Sequence, residues 1–235
     1  MFLPFRDHNP TKHFPIVTIS LIALNVVIFG YMFLLQHENH NFMMQYAFLP
    51  RDLTKFSLDF GENFRIIGTM FTSMFLHGSV SHVIGNMLFL SIFGNNIEDI
   101  MGPIKFIIFY CVCGIVACLA QGIPSLGNAS ADIPMIGASG AISGVLGAYL
   151  IKFPYAKVDT CIVVVLVRLP AFLVLISWFF IQLMHLGALQ NIEQSDIAYL
   201  AHIGGFICGM LLVNRFVNKP KRRKRDKGAN EVIHY

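Results

Sequence analysis

Charge is what this 235-residue chain has least of: 13% of its residues are Asp, Glu, Lys or Arg, while 55% are hydrophobic and the mean hydropathy is +0.64. A soluble globular chain is roughly a quarter charged, because its surface must be wetted. So sparse a supply excludes a water-facing surface of ordinary extent, and with it a disordered chain or a soluble nucleic-acid module. Cysteine is also scarce and unpatterned. The five (Cys111, Cys113, Cys118, Cys161, Cys208) sit in apolar stretches without metal-ligand spacing, so neither a disulfide framework nor a zinc site is indicated. There is no His-Glu-x-x-His and no carboxylate beside the histidines of the apolar runs, which speaks against a metal-dependent intramembrane protease. No internal repeat of the kind transporters show is visible. A polytopic, all-α membrane protein remains.

Apolar runs fall near residues 15–35, 80–97, 103–121, 135–151, 170–187 and 197–217. At about 20 residues per span, they predict a six-transmembrane-helix bundle over 1–217, one membrane domain, followed by a basic tail, 218–235. The first run lacks a small-x-small cleavage pattern and is expected to be retained as a span. Lys and Arg set the orientation. With the N-terminus cytoplasmic, fourteen basic residues face the cytoplasm and three (Arg51, Lys55, Arg65) face outward, a strong positive-inside bias. Seven of the fourteen lie in the run 219–227. Both termini are therefore expected inside. Residues 36–76 form a long outer loop rich in aromatics, expected to lie partly in the interface. Residues 153–169, broken by Pro154 and Pro170, are expected to run along the cytoplasmic interface, with Pro170 opening the fifth span.

Polar residues inside spans are costly and therefore informative. They cluster: His77, Ser81, His82 and Asn86 around the second span, Ser139 and Ser143 in the fourth, His202 in the sixth. Ser139 lies among Gly137, Gly140, Gly144 and Gly147, and His202 precedes Gly205 and Gly209. Small residues at near-helical spacing allow two backbones to approach closely. Ser139 taken alone reads better as a seam serine bonded to its own backbone. The fourth and sixth spans, however, run the same way, and both residues fall roughly 6–8 Å below the outer entrance at 1.5 Å per residue. A hydroxyl within reach of an imidazole is what a nucleophilic serine needs. His82 and Asn86, four apart on one helix face, supply donors at similar depth, as does the Ser139 amide at a helix start.

Together, Gly137-x-Ser139-Gly140, His202 with Gly205 and Gly209, and His82-x-x-x-Asn86 resemble the rhomboid intramembrane serine proteases. Phe64-Arg65, His77 and Gly94-Asn95-x-x-Glu98-x-x-x-Gly102 extend the likeness over about residues 15–217. The resemblance implies Ser139 as nucleophile and His202 as general base, with no carboxylate third member. It further implies an oxyanion hole of His82, Asn86 and the Ser139 amide. Gly137, Gly140, Gly144, Gly205 and Gly209 would serve helix packing. The fifth span, with Trp178 and Phe179, and the loop 188–197 would act as gate and cap. Some relatives carry a tyrosine four residues after the nucleophile, stacked on the base. Here that place is Ser143, so His202 must be oriented by packing or by another hydrogen bond. Ile197 replaces a small residue often found before the Ala-His pair.

The expected reaction is hydrolysis of a peptide bond in or near the transmembrane helix of a single-span or polytopic membrane-protein substrate. No cofactor, metal or nucleic acid is called for, and the lipid bilayer is the other partner. The small size and absence of a cleavable presequence lean towards a bacterial inner membrane. A catalytically silent binder of membrane helices is the remaining alternative, against which the intact set of four side chains argues.

Overall fold

The computed structural model describes residues 2–35, 39–56, 59–188 and 198–218; the run 219–227, the loop 189–197 and Ile197 lie outside them. Eight α-helices carry the described fold: α1 (Ile16–Leu35), α2 (Asn39–Tyr46), α3 (Phe60–Thr72), α4 (Val80–Met101), α5 (Pro103–Ser125), α6 (Ser139–Lys152), α7 (Ala171–Ala188) and α8 (Tyr199–Phe216). Each of the six apolar runs is helical. By length and composition α1, α5 and α8 are long and apolar enough to cross a membrane, and α3 with α4, bent at 89°, adds a fourth candidate. The 14-residue α6 is short for a bilayer core about 30 Å thick. The protein is an integral membrane protein. Its outer surface agrees, with Val27, Phe33 and Leu34 of α1, Ile104 of α5, Phe180 of α7 and Leu211 of α8 exposed.

The bundle core is filled by Leu90, Phe93, Phe106, Phe109, Tyr110, Val145, Tyr149 and Phe206, all buried. Through it runs the α6–α8 seam. A Cβ placed on Gly205 would strike the carbonyl oxygen of Gly140, and one on Gly209 the carbonyl of Gly144. The partners advance together, 140 with 205 and 144 with 209, so the two helices are parallel. Only glycine permits this approach, because each neighbour is backbone and cannot rotate away.

At the end opposite the functional site lies a small antiparallel sheet, β1 (Phe2–Asp7), β2 (Lys157–Ile162) and β3 (Val165–Pro170), in the order β1-β2-β3. The segment 153–169, expected along the cytoplasmic interface, supplies β2 and β3 of this sheet. Its β-branched residues alternate, with Val158 and Thr160 buried and Lys157 exposed, which is the period of a strand. Pro170 closes β3 and stands one residue before α7. Asp159 joins the strands to what precedes α1, accepting from Arg168 Nε and pairing with His8 Nε2, each at 2.7 Å.

The same end explains the Gly94-to-Gly102 stretch. The buried Glu98 carboxylate accepts from the Val17 and Thr18 amides (2.9 and 2.7 Å) and from the Thr18 hydroxyl. It thereby satisfies the orphan donors at the start of α1. Gly102, at φ +79°, ends α4, a backbone state that residues with a Cβ avoid. In the loop between α1 and α4, Arg65 of α3 reaches both Glu62 (2.8 Å) and the buried Asp52 (3.2 Å), which Lys55 also pairs at 2.8 Å. Burial alone would raise the Asp52 carboxyl. The Lys55 hydrogen bond and the Arg65 charge outweigh it and hold the pKa below the usual 3.8. Phe60 and Phe64 on α3 stay 87% and 80% exposed, as aromatics facing an interface do.

Candidate active site

Four helices and the turn before α4 deliver polar side chains to one cavity of about 1070 Å³, lined by His77, His82, Asn86, Ser139, Gln182 and His202 among others. The N-terminal turns of α4, α6 and α8 and the C-terminal half of α7 all meet there, as alternating span directions require.

Ser139 is the first residue of α6, not one four residues in, and His202 the fourth of α8. The approach to Ser139 is fixed by the first loop. Buried Phe48 exchanges backbone hydrogen bonds with Met135, and the Gly137 amide donates to the Ser73 carbonyl at 2.9 Å. Gly137 has φ +115° and lies outside α6. Its assignment to helix packing is therefore corrected: it shapes the turn before the serine. A Cβ there would press on the His82 ring and approach Asn86 Nδ2 to 3.7 Å, so both residues stand directly over this turn.

The Ser139 hydroxyl lies 2.9 Å from His202 Nε2. The other ring nitrogen, Nδ1, lies 2.9 Å from Gln182 Oε1. An amide oxygen only accepts, so Oε1 in this place calls for the proton on Nδ1, the tautomer in which Nε2 accepts from the Ser139 hydroxyl. The imidazole is also flanked by rings: Trp178 at 5.9 Å between centroids and Tyr199 edge-on at 6.4 Å. Ser143 plays no part in this, since its hydroxyl donates to the Ser139 carbonyl at 2.6 Å. The start of α8 is secured by Gln121, whose Oε1 accepts from the Leu200 amide at 3.1 Å.

On the facing wall, Asn86 Nδ2 donates to His77 Nε2 at 2.9 Å, which fixes the amide and leaves its second N–H available. His82 stands edge-on to His77 with centroids 5.0 Å apart, and its own amide is capped by the Ser79 hydroxyl at 3.2 Å. Trp178 and Phe179 both turn toward α8, stacking on Phe206 at 6.0 and 4.7 Å. Among the described residues, no group of three or more His, Cys, Asp or Glu side chains is disposed to hold a metal ion.

Sequence reasoning missed Gln182, although the signal was present. It is a polar residue within an otherwise apolar run, the criterion that selected the others, and it lies four residues after Trp178 on the same helix face. The support His77 gives Asn86 was not read from the residues either.

A hydroxyl beside an imidazole nitrogen, with a further amide and imidazole lining the same cavity, is the arrangement a nucleophilic serine requires. Comparison with known proteins gives the family. The rhomboid domain matches residues 65–219, and the chain belongs to the rhomboid family. It is 28% identical over 214 residues to "Rhomboid protein 1, mitochondrial" of Saccharomyces cerevisiae, covering 87% of this chain and 55% of that protein. It is 31% identical over 152 residues to "RHOMBOID-like protein 1" of Arabidopsis thaliana, covering 65% and 35%. A putative rhomboid protease of Bacillus subtilis is 28% identical over 215 residues, covering 89% and 92%. The chain thus spans about half and a third of the first two relatives, and nearly all of the third.

Proposed function

We propose that the protein is an intramembrane serine endopeptidase. It hydrolyses a peptide bond in or near the transmembrane helix of a membrane-protein substrate, with Ser139 as nucleophile and His202 as general base. The observation that carries this reading is the 2.9 Å contact between the Ser139 hydroxyl and His202 Nε2. As Ser139 Oγ attacks the scissile carbonyl, Nε2 takes its proton and later returns it to the leaving amine. The negative charge of the tetrahedral intermediate is met by the Ser139 amide, at a helix N-terminus, and by Asn86 and His82. Water collapses the acyl-enzyme through the same base.

A substrate helix must unwind before its carbonyl can be attacked, because its backbone is internally bonded. Gly or Pro near the cut lowers that cost by about 1 and 3 kcal/mol relative to Ala, so such helices are the preferred substrates. Trp178 and Phe179 on α7 serve as the lateral gate through which the substrate enters. The unit 1–217 is one catalytic membrane domain, 218–235 its basic cytoplasmic tail. In this reading both termini are cytoplasmic, on the charge count, and the membrane is a bacterial inner membrane. The test is incubation of reconstituted wild type and Ser139→Ala with a single-span substrate, the cut mapped by mass spectrometry. Cleavage by the wild type alone, within or beside the span, is the expected result; equal cleavage by both proteins refutes the reading.

A further inference from the structure

We propose that Gln182 is the positioning residue for the base: it selects the tautomer of His202 that can accept the Ser139 proton. The inference rests on the dyad reading above. A neutral imidazole carries its proton on either nitrogen, and only the Nδ1–H form leaves Nε2 able to act on Ser139. Nothing in the Ser139 contact makes that choice, since a hydroxyl both donates and accepts. Gln182 does. Its Oε1, 2.9 Å from Nδ1, is an acceptor and would repel an unprotonated nitrogen. Gln182 is 8% exposed, so water competes little for either partner. Among the described residues lining the cavity there is no Asp or Glu, so the neutral amide stands where other serine hydrolases place a carboxylate.

An amide is a weaker selector than a carboxylate. It gives up one hydrogen bond rather than an ion pair when lost, and turned by half a rotation its NH₂ would favour the wrong tautomer. A carboxylate presents acceptors only, and it also stabilises the imidazolium. The two substitutions Gln182→Leu and Gln182→Glu therefore separate positioning from mere filling of space. The other titratable groups around His202 are Tyr199 on its own helix, His185 on α7 stacked on Tyr199, His77 and His82 before and on α4, and His40 on α2. Among the described residues α5 and α6 present none to the cavity. All of these stay constant across the variants.

The experiment uses the full chain in liposomes, measuring kcat and KM for a single-span substrate across pH, fluorophosphonate labelling at Ser139, and thermal melting. Gln182→Leu is expected to lower kcat by about 10- to 100-fold, the usual effect of losing a histidine's orienting partner, with KM changed less than about twofold. Gln182→Glu is expected to recover most of the rate at neutral and alkaline pH, and to move the acid limb of kcat upward by about one unit or more. Wild-type kcat in Gln182→Leu overturns the inference, as does an unmoved acid limb in Gln182→Glu. Should the leucine variant not fold, the glutamate variant decides alone. Failure of the wild type, Gln182 intact, to label at Ser139 overturns the dyad itself, whereas normal wild-type labelling with an unaffected leucine variant overturns this inference alone.

Discussion

α8 has two neighbours that meet it by different means. Against α6 it lies backbone to backbone, with Gly205 on Gly140 and Gly209 on Gly144. Against α7 it is met by side chains: Phe179 and Trp178 on Phe206, and Gln182 on His202. The first contact sets the Ser139–His202 distance and has nothing in it that can rotate. The second holds the far side of the same imidazole through groups that can let go. The proposed nucleophile and base thus sit on the rigid pair, while Gln182, proposed to orient the base, sits on the helix proposed to admit substrate. Outward movement of α7 would break the Gln182 bond and leave the Ser139 contact in place.

Substitutions can break or sharpen this contrast. Gly209→Leu is the severest, since the new side chain meets only backbone. A cost of about 3 kcal/mol or more is expected, read as a lower melting temperature in detergent together with lost labelling; a fold that tolerates it contradicts the seam. Asn86→Ala leaves both α8 contacts intact and removes one proposed oxyanion donor, so kcat should fall by about 10²–10³-fold, with a stability loss of about 1–3 kcal/mol from the buried His77 Nε2 left unpaired. A loss as complete as that of Ser139→Ala would mean the roles are wrongly divided. Phe179→Ala gives up one ring contact, worth about 1 kcal/mol. Cleavage of a transmembrane substrate should rise about fivefold while small-probe labelling stays constant, and no difference between the two would retire the gate.

The smallest effect is predicted away from α8 altogether. Asp52→Asn removes a paired carboxylate in the first loop at a cost of about 1 kcal/mol near neutral pH, because both cations are half exposed. The folded pKa of Asp52 is depressed, so its contribution is full above the ordinary carboxylate range. It is lost as pH falls below 3.8 through the folded value. Melting curves of wild type and Asp52→Asn should accordingly converge in acid; divergence there would contradict the pairing.

Much of this architecture was legible because a bilayer makes sequence signals coarse. Apolar runs marked six of the eight helices, and polar residues inside or beside them marked Ser139, His202, His82 and Asn86. The glycines at 140, 144, 205 and 209 announced the seam because nothing else fits there. Gly137 was misplaced because a glycine just before a helix looks, by spacing, like one within it; only its positive φ separates the two. The strands of the segment 153–169 were not read from the sequence, because prolines and charges masked the alternation of Val158 and Thr160. Gln182 went unseen because an uncharged amide barely dents an apolar run, though the criterion applied to it unchanged.

The account depends on His202 activating Ser139, and fluorophosphonate labelling of the reconstituted protein, mapped to the peptide, tests that most directly. The label should appear on Ser139 in the wild type and fall by about 10⁴-fold or more in His202→Ala. Labelling at another residue, or equal labelling of Ser139 with and without His202, would contradict it.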